Sequence, residues 1–222
     1  MFSGIVEAKA PIVRAEEISR DHLTRIWVEK PAAFDDLKLG DSIATDGVCL
    51  TVEAFDNNTI QFALAAETLA VTNWKTSTDG RGAQGLVGRT VNLERSLRMG
   101  DRIHGHMVSG HVDAATRVTR VEDVGETRFV DIEIPIGLRS LVWKKGSWAL
   151  NGVSLTVNSV EGGVATHCLI PETLLRTNLG SVRVGDLVNI EVDVFARSLS
   201  QSVENYLLSK DQQKEPKKDQ AQ

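Results

Sequence analysis

Gly47-Val48-Cys49-Leu50-Thr51-Val52 recurs as Gly152-Val153-Ser154-Leu155-Thr156-Val157, 105 residues further along the chain. The match continues on both sides. Glu67-Thr68-Leu69 with Thr72-Asn73 returns as Glu172-Thr173-Leu174 with Thr177-Asn178 at the same spacing, and Ser3-Gly4-Ile5-Val6 is echoed by Ser109-Gly110-His111-Val112 at 106. Val91-Asn92-Leu93-Glu94 matches Val188-Asn189-Ile190-Glu191 at 97. The lost spacing sits in one place, because 13 residues separate Trp74 from Gly88 whereas 5 separate Leu179 from Gly185. Four blocks in one order, with one eight-residue indel and a one-residue shift, read as a tandem duplication.

Each half is mostly strand. Residues 23–28, 59–64 and 128–134 alternate apolar and polar with β-branched and aromatic enrichment, and turn signals such as Asp56-Asn57-Asn58 and Glu161-Gly162-Gly163 fall between such runs. Short strands over about 100 residues per half predict a mainly β fold of two tandem, homologous, small antiparallel barrels of Greek-key type. Closure would remove the exposed edges of an open sheet. The expected boundaries are 1–103 and 104–193 for the barrels and 194–209 for a C-terminal helix. Phe195, Leu199, Val203, Tyr206 and Leu207 share one face of that helix, which either packs on its own barrel or pairs with other subunits. Residues 210–222 are polar and read as a disordered tail. Residues 76–82 read as a flexible surface loop rather than a phosphate cradle, since the Lys and strand–turn–helix context of a cradle are missing.

The chain has 222 residues, a formal net charge of −5 and 41% hydrophobic residues, an ordinary globular balance. An acidic balance without a basic block argues against nucleic acid or an anionic membrane as partner. No apolar run approaches the roughly 20 residues of a membrane helix, and the N-terminal residues carry no signal-peptide pattern, so a cytoplasmic location is expected. Two cysteines, Cys49 and Cys168, supply neither a disulfide framework nor a thiolate zinc site, and read as buried thiols.

His104, His106 and His111 form the densest titratable cluster, but their spacing matches no familiar ligand set, and no metal is expected. His104 and His106 read as residues bonding backbone near a turn. His111 differs, because it replaces the aliphatic Ile5 of the other half. Cys49 replaces Ser154 in the same way, either as a small wall residue or as a nucleophile needing a base. Thr51 and Thr156, Glu67 and Glu172, and Thr68 and Thr173 recur in both halves. Each is either ordinary strand or turn chemistry or part of a duplicated ligand site. Nucleophile-elbow, P-loop, HExxH and dinucleotide motifs are absent. The residues alone reach two related pockets and name no ligand.

Residues 1–6, 47–52, 91–95, 105–113, 152–157, 170–174 and 188–193 together resemble the riboflavin synthase family of the alpha-subunit type, from Met1 to about Leu208. The resemblance implies transfer of four carbons between two molecules of 6,7-dimethyl-8-ribityllumazine, giving riboflavin and 5-amino-6-ribitylaminouracil without cofactor or metal. It implies a homotrimer, with the N-terminal barrel of one subunit facing the C-terminal barrel of another. Ser42, Cys49 and His111 are the implied catalytic residues. Leu50, Thr51, Ala63, Leu64, Ala65, Ala66, Glu67, Thr68, Gly110 and Val112 would complete the N-terminal site. Phe2, Gly4, Ile5 and Val6 would reach the C-terminal pocket, lined by Val153, Ser154, Leu155, Thr156, His167, Cys168, Leu169, Ile170, Pro171, Glu172 and Thr173. Lys145 would approach from the partner subunit.

The family often has Asn before the first Gly-Val-Cys block and Asp before the second; here these are Asp46 and Asn151, the reverse. Ser3 replaces the usual Thr, His104 stands where Gly is common, and residues 75–87 form a longer loop. A rival reading within the same fold is a non-catalytic, antenna-type lumazine or flavin carrier. Polar residues kept in both pockets favour the enzyme.

Overall fold

The computed structural model describes residues 1–18, 23–75 and 82–214, so the loop at 76–81 and the tail at 215–222 lie outside the described residues. The first half contains β1 (Ala8–Ile18), β2 (Leu23–Glu29), β3 (Ser42–Thr45), β4 (Val48–Phe55), β5 (Thr59–Ala65), a short helix α1 (Ala66–Val71) and β6 (Thr90–Arg95). These strands close into a barrel in the order β1-β2-β5-β4-β3-β6, all pairs antiparallel, with the crossed connections of a Greek key. The period-2 alternation points Ile26, Val28, Ile43, Leu50, Val52, Ile60, Phe62 and Leu64 into its core, which Phe34, Trp74 and Leu86 cap.

The second half repeats the sequence of elements: β7 (Ala114–Val124), β8 (Thr127–Glu133), β9 (Ser147–Leu150), β10 (Val153–Thr156), β11 (Ser159–Glu161), β12 (Val164–Leu169), α2 (Pro171–Arg176) and β13 (Leu187–Val192). Its seven strands form a curled half-barrel, ordered β10-β9-β13-β7-β8-β12-β11, where the first half is a closed six-stranded barrel. The difference has a local cause. Its two end strands are one strand of the first half, interrupted at Val157 and Asn158. The corresponding β4 runs unbroken through a register shift between Val52 and Ala54. At the break, the Asn158 N–H still donates to Thr166 O, at 2.8 Å.

Both central hairpins turn on two residues with positive φ: Asp46 (46°) and Gly47 (81°), then Asn151 (45°) and Gly152 (78°). Asp-Gly and Asn-Gly are equally suited to such type I′ turns, so the local backbone tolerates the exchange of Asp and Asn between halves. The two turns stack against each other. A Cβ on Gly47 would sit 2.7 Å from Gly152 N, and one on Gly152 would sit 2.8 Å from Gly47 N.

A buried amide network seals this contact. Asn92 Nδ2 donates to Asn151 O, Asn189 Nδ2 donates to Asp46 O, and Asn73 N and Asn178 N donate to the side-chain oxygens of Asn189 and Asn92. Asp46 and Asn151 thus belong to the seam between the halves.

The C-terminal helix α3 (Val194–Lys214) runs five residues past the expected end at 209. Phe195, Leu199, Val203, Tyr206 and Leu207 are between 49 and 68% exposed, so the stripe is not buried on its own barrel. No helix among the described residues is long and apolar enough to cross a membrane.

Candidate active site

The short segments that precede each barrel do not stay with the barrel that follows them. Residues 2–6 form one strap and 108–112 the other, and they pair through a reciprocal bridge: Phe2 N donates to Val108 O at 2.8 Å and Val108 N to Phe2 O at 3.0 Å. Ser154 N donates to Gly4 O, and Cys49 N donates to Gly110 O, both at 2.8 Å. Val6 buries itself in the second core, and Val112 packs against the first. Each barrel therefore wears the strap of the other repeat.

Two buried carboxylates cinch the straps. Glu94 accepts from Ser3 N (2.7 Å), Ser3 Oγ (2.9 Å) and Gly4 N (3.0 Å), and Glu191 accepts from Ser109 N (2.6 Å), Ser109 Oγ (2.7 Å) and Gly110 N (2.9 Å). Burial pushes both carboxyls above the usual range, and these hydrogen bonds pull them back. Neither glutamate was singled out for the site from sequence. The signal was there, since both close the duplicated Val-Asn-Leu/Ile-Glu block.

Strand alternation sorts the expected site residues into two sets. Cys49, Thr51, Ala63 and Ala65 face outward and form a shelf on the first barrel; Ser154, Thr156 and Cys168 form its counterpart on the second. Ser42 is the cross-strand neighbour of Thr51. The strap residues Gly110, His111 and Val112 border the first shelf, with His111 exposed, and Gly4, Ile5 and Val6 border the second.

Ala66, Glu67 and Thr68 begin α1, and Pro171, Glu172 and Thr173 begin α2 after the exposed Ile170. Lys145 is exposed and carries φ of +69° where the first half has Gly40 at +87°. An L-residue holds that conformation at a cost of roughly 1–2 kcal/mol.

The remaining expected residues point the other way. Leu50, Leu64, Val153, Leu155 and Leu169 are core, and the contiguous runs in which they were placed cannot line one face. His167 needs the clearest correction. It is fully buried inside the second barrel, stacked on Trp148 at 5.6 Å. Its Nε2 accepts from Trp148 Nε1 (2.7 Å), and its Nδ1 donates to Thr156 O (2.9 Å). Burial pushes its pKa down to about 4, so it is a neutral core histidine. His106 also departs from expectation, because its imidazole meets the Ser154 side chain rather than backbone.

A concavity of about 990 Å³ joins Ser42 to the strap residue Ile5. A second, of about 660 Å³, lies on the outer face of the other barrel around Phe129, Asp131 and Thr166. There Asp131 stands where the first half has Trp27, covered by the Arg14 guanidinium at 4.3 Å. Neither concavity includes Cys49, Thr51, His111 or Ser154; Thr51 and His111 are exposed, and Cys49 and Ser154 are half-buried beside the straps.

Two strapped barrels with matching polar shelves define a duplicated lumazine-binding fold. The lumazine binding domain model matches residues 3–96 and again 109–193. The chain belongs to the riboflavin synthase family. It is 37% identical over 197 residues to riboflavin synthase of Photobacterium phosphoreum, covering 89% of this chain and 86% of that protein. It is 37% identical to that of Brucella abortus, covering 89% and 95%, and 33% identical to that of Bacillus subtilis, covering 89% and 87%. Among solved structures, LumP complexed with riboflavin superposes with a TM-score of 0.76 at 22% identity, over 86% of this chain and 99% of LumP, a likeness of fold.

Proposed function

We propose that this chain is a cytoplasmic, cofactor-independent riboflavin synthase that moves a four-carbon unit between two molecules of 6,7-dimethyl-8-ribityllumazine, releasing riboflavin and 5-amino-6-ribitylaminouracil. The observation that carries this reading is the pair of crossed straps, which gives two shelves of the same architecture but different side chains. One chemical species binds twice in two unlike environments, as a dismutation requires. Both substrate molecules are identical, so the asymmetry that makes one donor and the other acceptor has to come from the protein.

The reacting centre is the lumazine 7-methyl group, acidic because the ring delocalises the carbanion. Holding two rings in register supplies much of the rate by removing translational and rotational freedom. Ser42, Cys49 and His111 lie on or beside the first shelf and are the groups that would move protons or polarise the ring. Ligand sites ordinarily cover most of a small molecule's surface, and an open shelf covers one face only. A second subunit therefore closes each site, with the first shelf of one chain against the second shelf of another and Lys145 crossing over. The exposed stripe on α3 is the natural contact for a homotrimer.

Purified protein mixed with 6,7-dimethyl-8-ribityllumazine alone, in chelator, is expected to yield one riboflavin per two lumazines consumed. Fluorescence change on binding without turnover would overturn the synthase and leave a carrier. Leu199→Glu with Val203→Glu is expected to release monomers in sedimentation velocity and to lower turnover at least tenfold. A monomer with full turnover would sink the intersubunit site.

A further inference from the structure

Ser154 and Cys49 occupy equivalent places on the two shelves, yet only Ser154 has an imidazole beside it. His106 Nδ1 lies 2.7 Å from Ser154 Oγ. The approach is built into the backbone. His106 N donates to Ser3 O at 3.2 Å, pinning the residue between the two straps. Gly105 makes room for it, since a Cβ there would stand 2.1 Å from Ser3 O and 2.8 Å from Ser154 Oγ. In the repeat register Met107 is equivalent to Met1, and His106 lies one residue ahead of it. His111 shows the opposite asymmetry, with Ile5 as its equivalent.

The other ring nitrogen decides the direction of the bond. His106 Nε2 is buried and has no hydrogen-bond partner. A buried N–H without an acceptor is the rarer and costlier arrangement, so the proton belongs on Nδ1 and the bare lone pair on Nε2. Nδ1–H then donates to Ser154 Oγ, which leaves the serine's own proton available to another acceptor. The pair is held neutral by its surroundings: burial lowers the imidazole pKa, and Asp193 only partly opposes this.

We propose that His106 is a positioning residue for the second shelf, fixing the Ser154 hydroxyl as a hydrogen-bond donor to an acceptor atom of the ring bound there, a carbonyl oxygen or imine nitrogen. The first shelf, with a thiol at Cys49 and no such imidazole, lacks this donor. The two shelves thereby polarise one substrate species unequally. The proposal rests on the synthase reading for its ligand.

A double-mutant cycle with the full-length protein tests it. His106→Leu is expected to lower kcat/KM about tenfold, the effect of one oriented hydrogen bond, and Ser154→Ala to do much the same. In the Ser154→Ala background, His106→Leu is expected to change it less than twofold. His106→Asn, which returns a donor near the place of Nδ1, is expected to recover most of the loss. Equal losses from His106→Leu with and without Ser154 would overturn the proposal, as would an Asn variant no better than Leu at unchanged Tm.

Nitrogen-15 NMR of His106 in the unliganded protein reads the pair independently of catalysis, with Nδ1 expected to be the protonated nitrogen. A proton on Nε2 would also overturn it. Should the wild type bind lumazine without turnover, the synthase reading fails alone, and the same cycle is read on the Kd for lumazine.

Discussion

Gly110→Ala is expected to abolish most turnover, by two orders of magnitude or more, and to destabilise the fold by about 3–5 kcal/mol. Gly110 has φ of +82°, and a Cβ there would stand 2.5 Å from Cys49 Cβ and 2.9 Å from Cys49 N. Backbone in the middle of a barrel strand cannot yield, so the strap must lift. Lifting it breaks the Cys49 N to Gly110 O bond and strains the clamp from Glu191, and it carries His111 away from the first shelf. Displacement of a reacting group by about 1 Å is enough for a hundredfold loss. Gly88→Ala is the control: φ is +86° but nothing lies within 4 Å, so only the dihedral penalty of roughly 1–2 kcal/mol remains. Thermal denaturation and steady-state turnover of both variants check this. A Gly110→Ala protein with wild-type turnover would show that the strap's seat is irrelevant to the site.

Asp46→Asn is expected to make stability rise with pH between about 4 and 6 relative to the wild type. Burial lifts the Asp46 carboxyl from 3.8 to about 6, against hydrogen bonds from Asn92, Asn178 and Trp74 and the nearby Arg89 charge. A folded-state pKa above the unfolded one gives stability that is complete below about pH 4 and is lost as pH rises through 6, roughly 3 kcal/mol in all. His167 works in the opposite sense. Its pKa falls from 6.5 to about 4 on folding, so its contribution is complete above pH 6.5 and is lost as pH falls toward 4, again by roughly 3 kcal/mol. The two nearly cancel between pH 4 and 6.

The other buried groups, Glu94, Glu191 and His167 among them, are common to both proteins, so the variant's stability relative to wild type climbs with pH across that window. Relative to wild type it is less stable at pH 4.5, where it also loses the Trp74 contact, and at least as stable at pH 8. Urea unfolding at several pH values measures the difference directly. A difference independent of pH would mean that Asp46 does not titrate in the folded protein as its burial requires.

Much of this was readable in the residues, for physical reasons that also explain the gaps. The duplication, the strand content and the alternation of apolar side chains are local or periodic properties, and they led to two barrels and a helix with a one-sided apolar stripe. The same alternation, pressed further, would have split Leu50 from Thr51 and His167 from Cys168, since neighbouring strand residues face opposite sides. That His167 is a core residue depends on Trp148, nineteen positions away, offering an indole N–H at the right place.

Barrel closure in one half and not in the other turns on a single step, at Glu53 and Asn158, too small a change to read from a pattern. The clamps on the straps are contacts across 81 to 91 residues of chain, between a serine and a glutamate that look like ordinary strand-end residues until the halves are placed side by side. His106 failed to stand out because its partner belongs to another strand 48 residues on.

Were the two halves separate molecules, each would hand its leading segment to the other, the relationship of an exchanged dimer. Here the exchange is made within one polypeptide, and the tether from 97 to 104 replaces bimolecular association with the closing of a short loop, at an effective concentration on the order of millimolar or above. Dilution can part whole chains but not the halves. The tether also releases a constraint of symmetry. Identical partners would have to carry the same residue at every equivalent place, whereas tethered halves can hold a histidine against isoleucine on one strap and a serine against cysteine on one shelf. For the proposed reaction, in which two copies of one compound must be treated differently, the tether supplies that freedom.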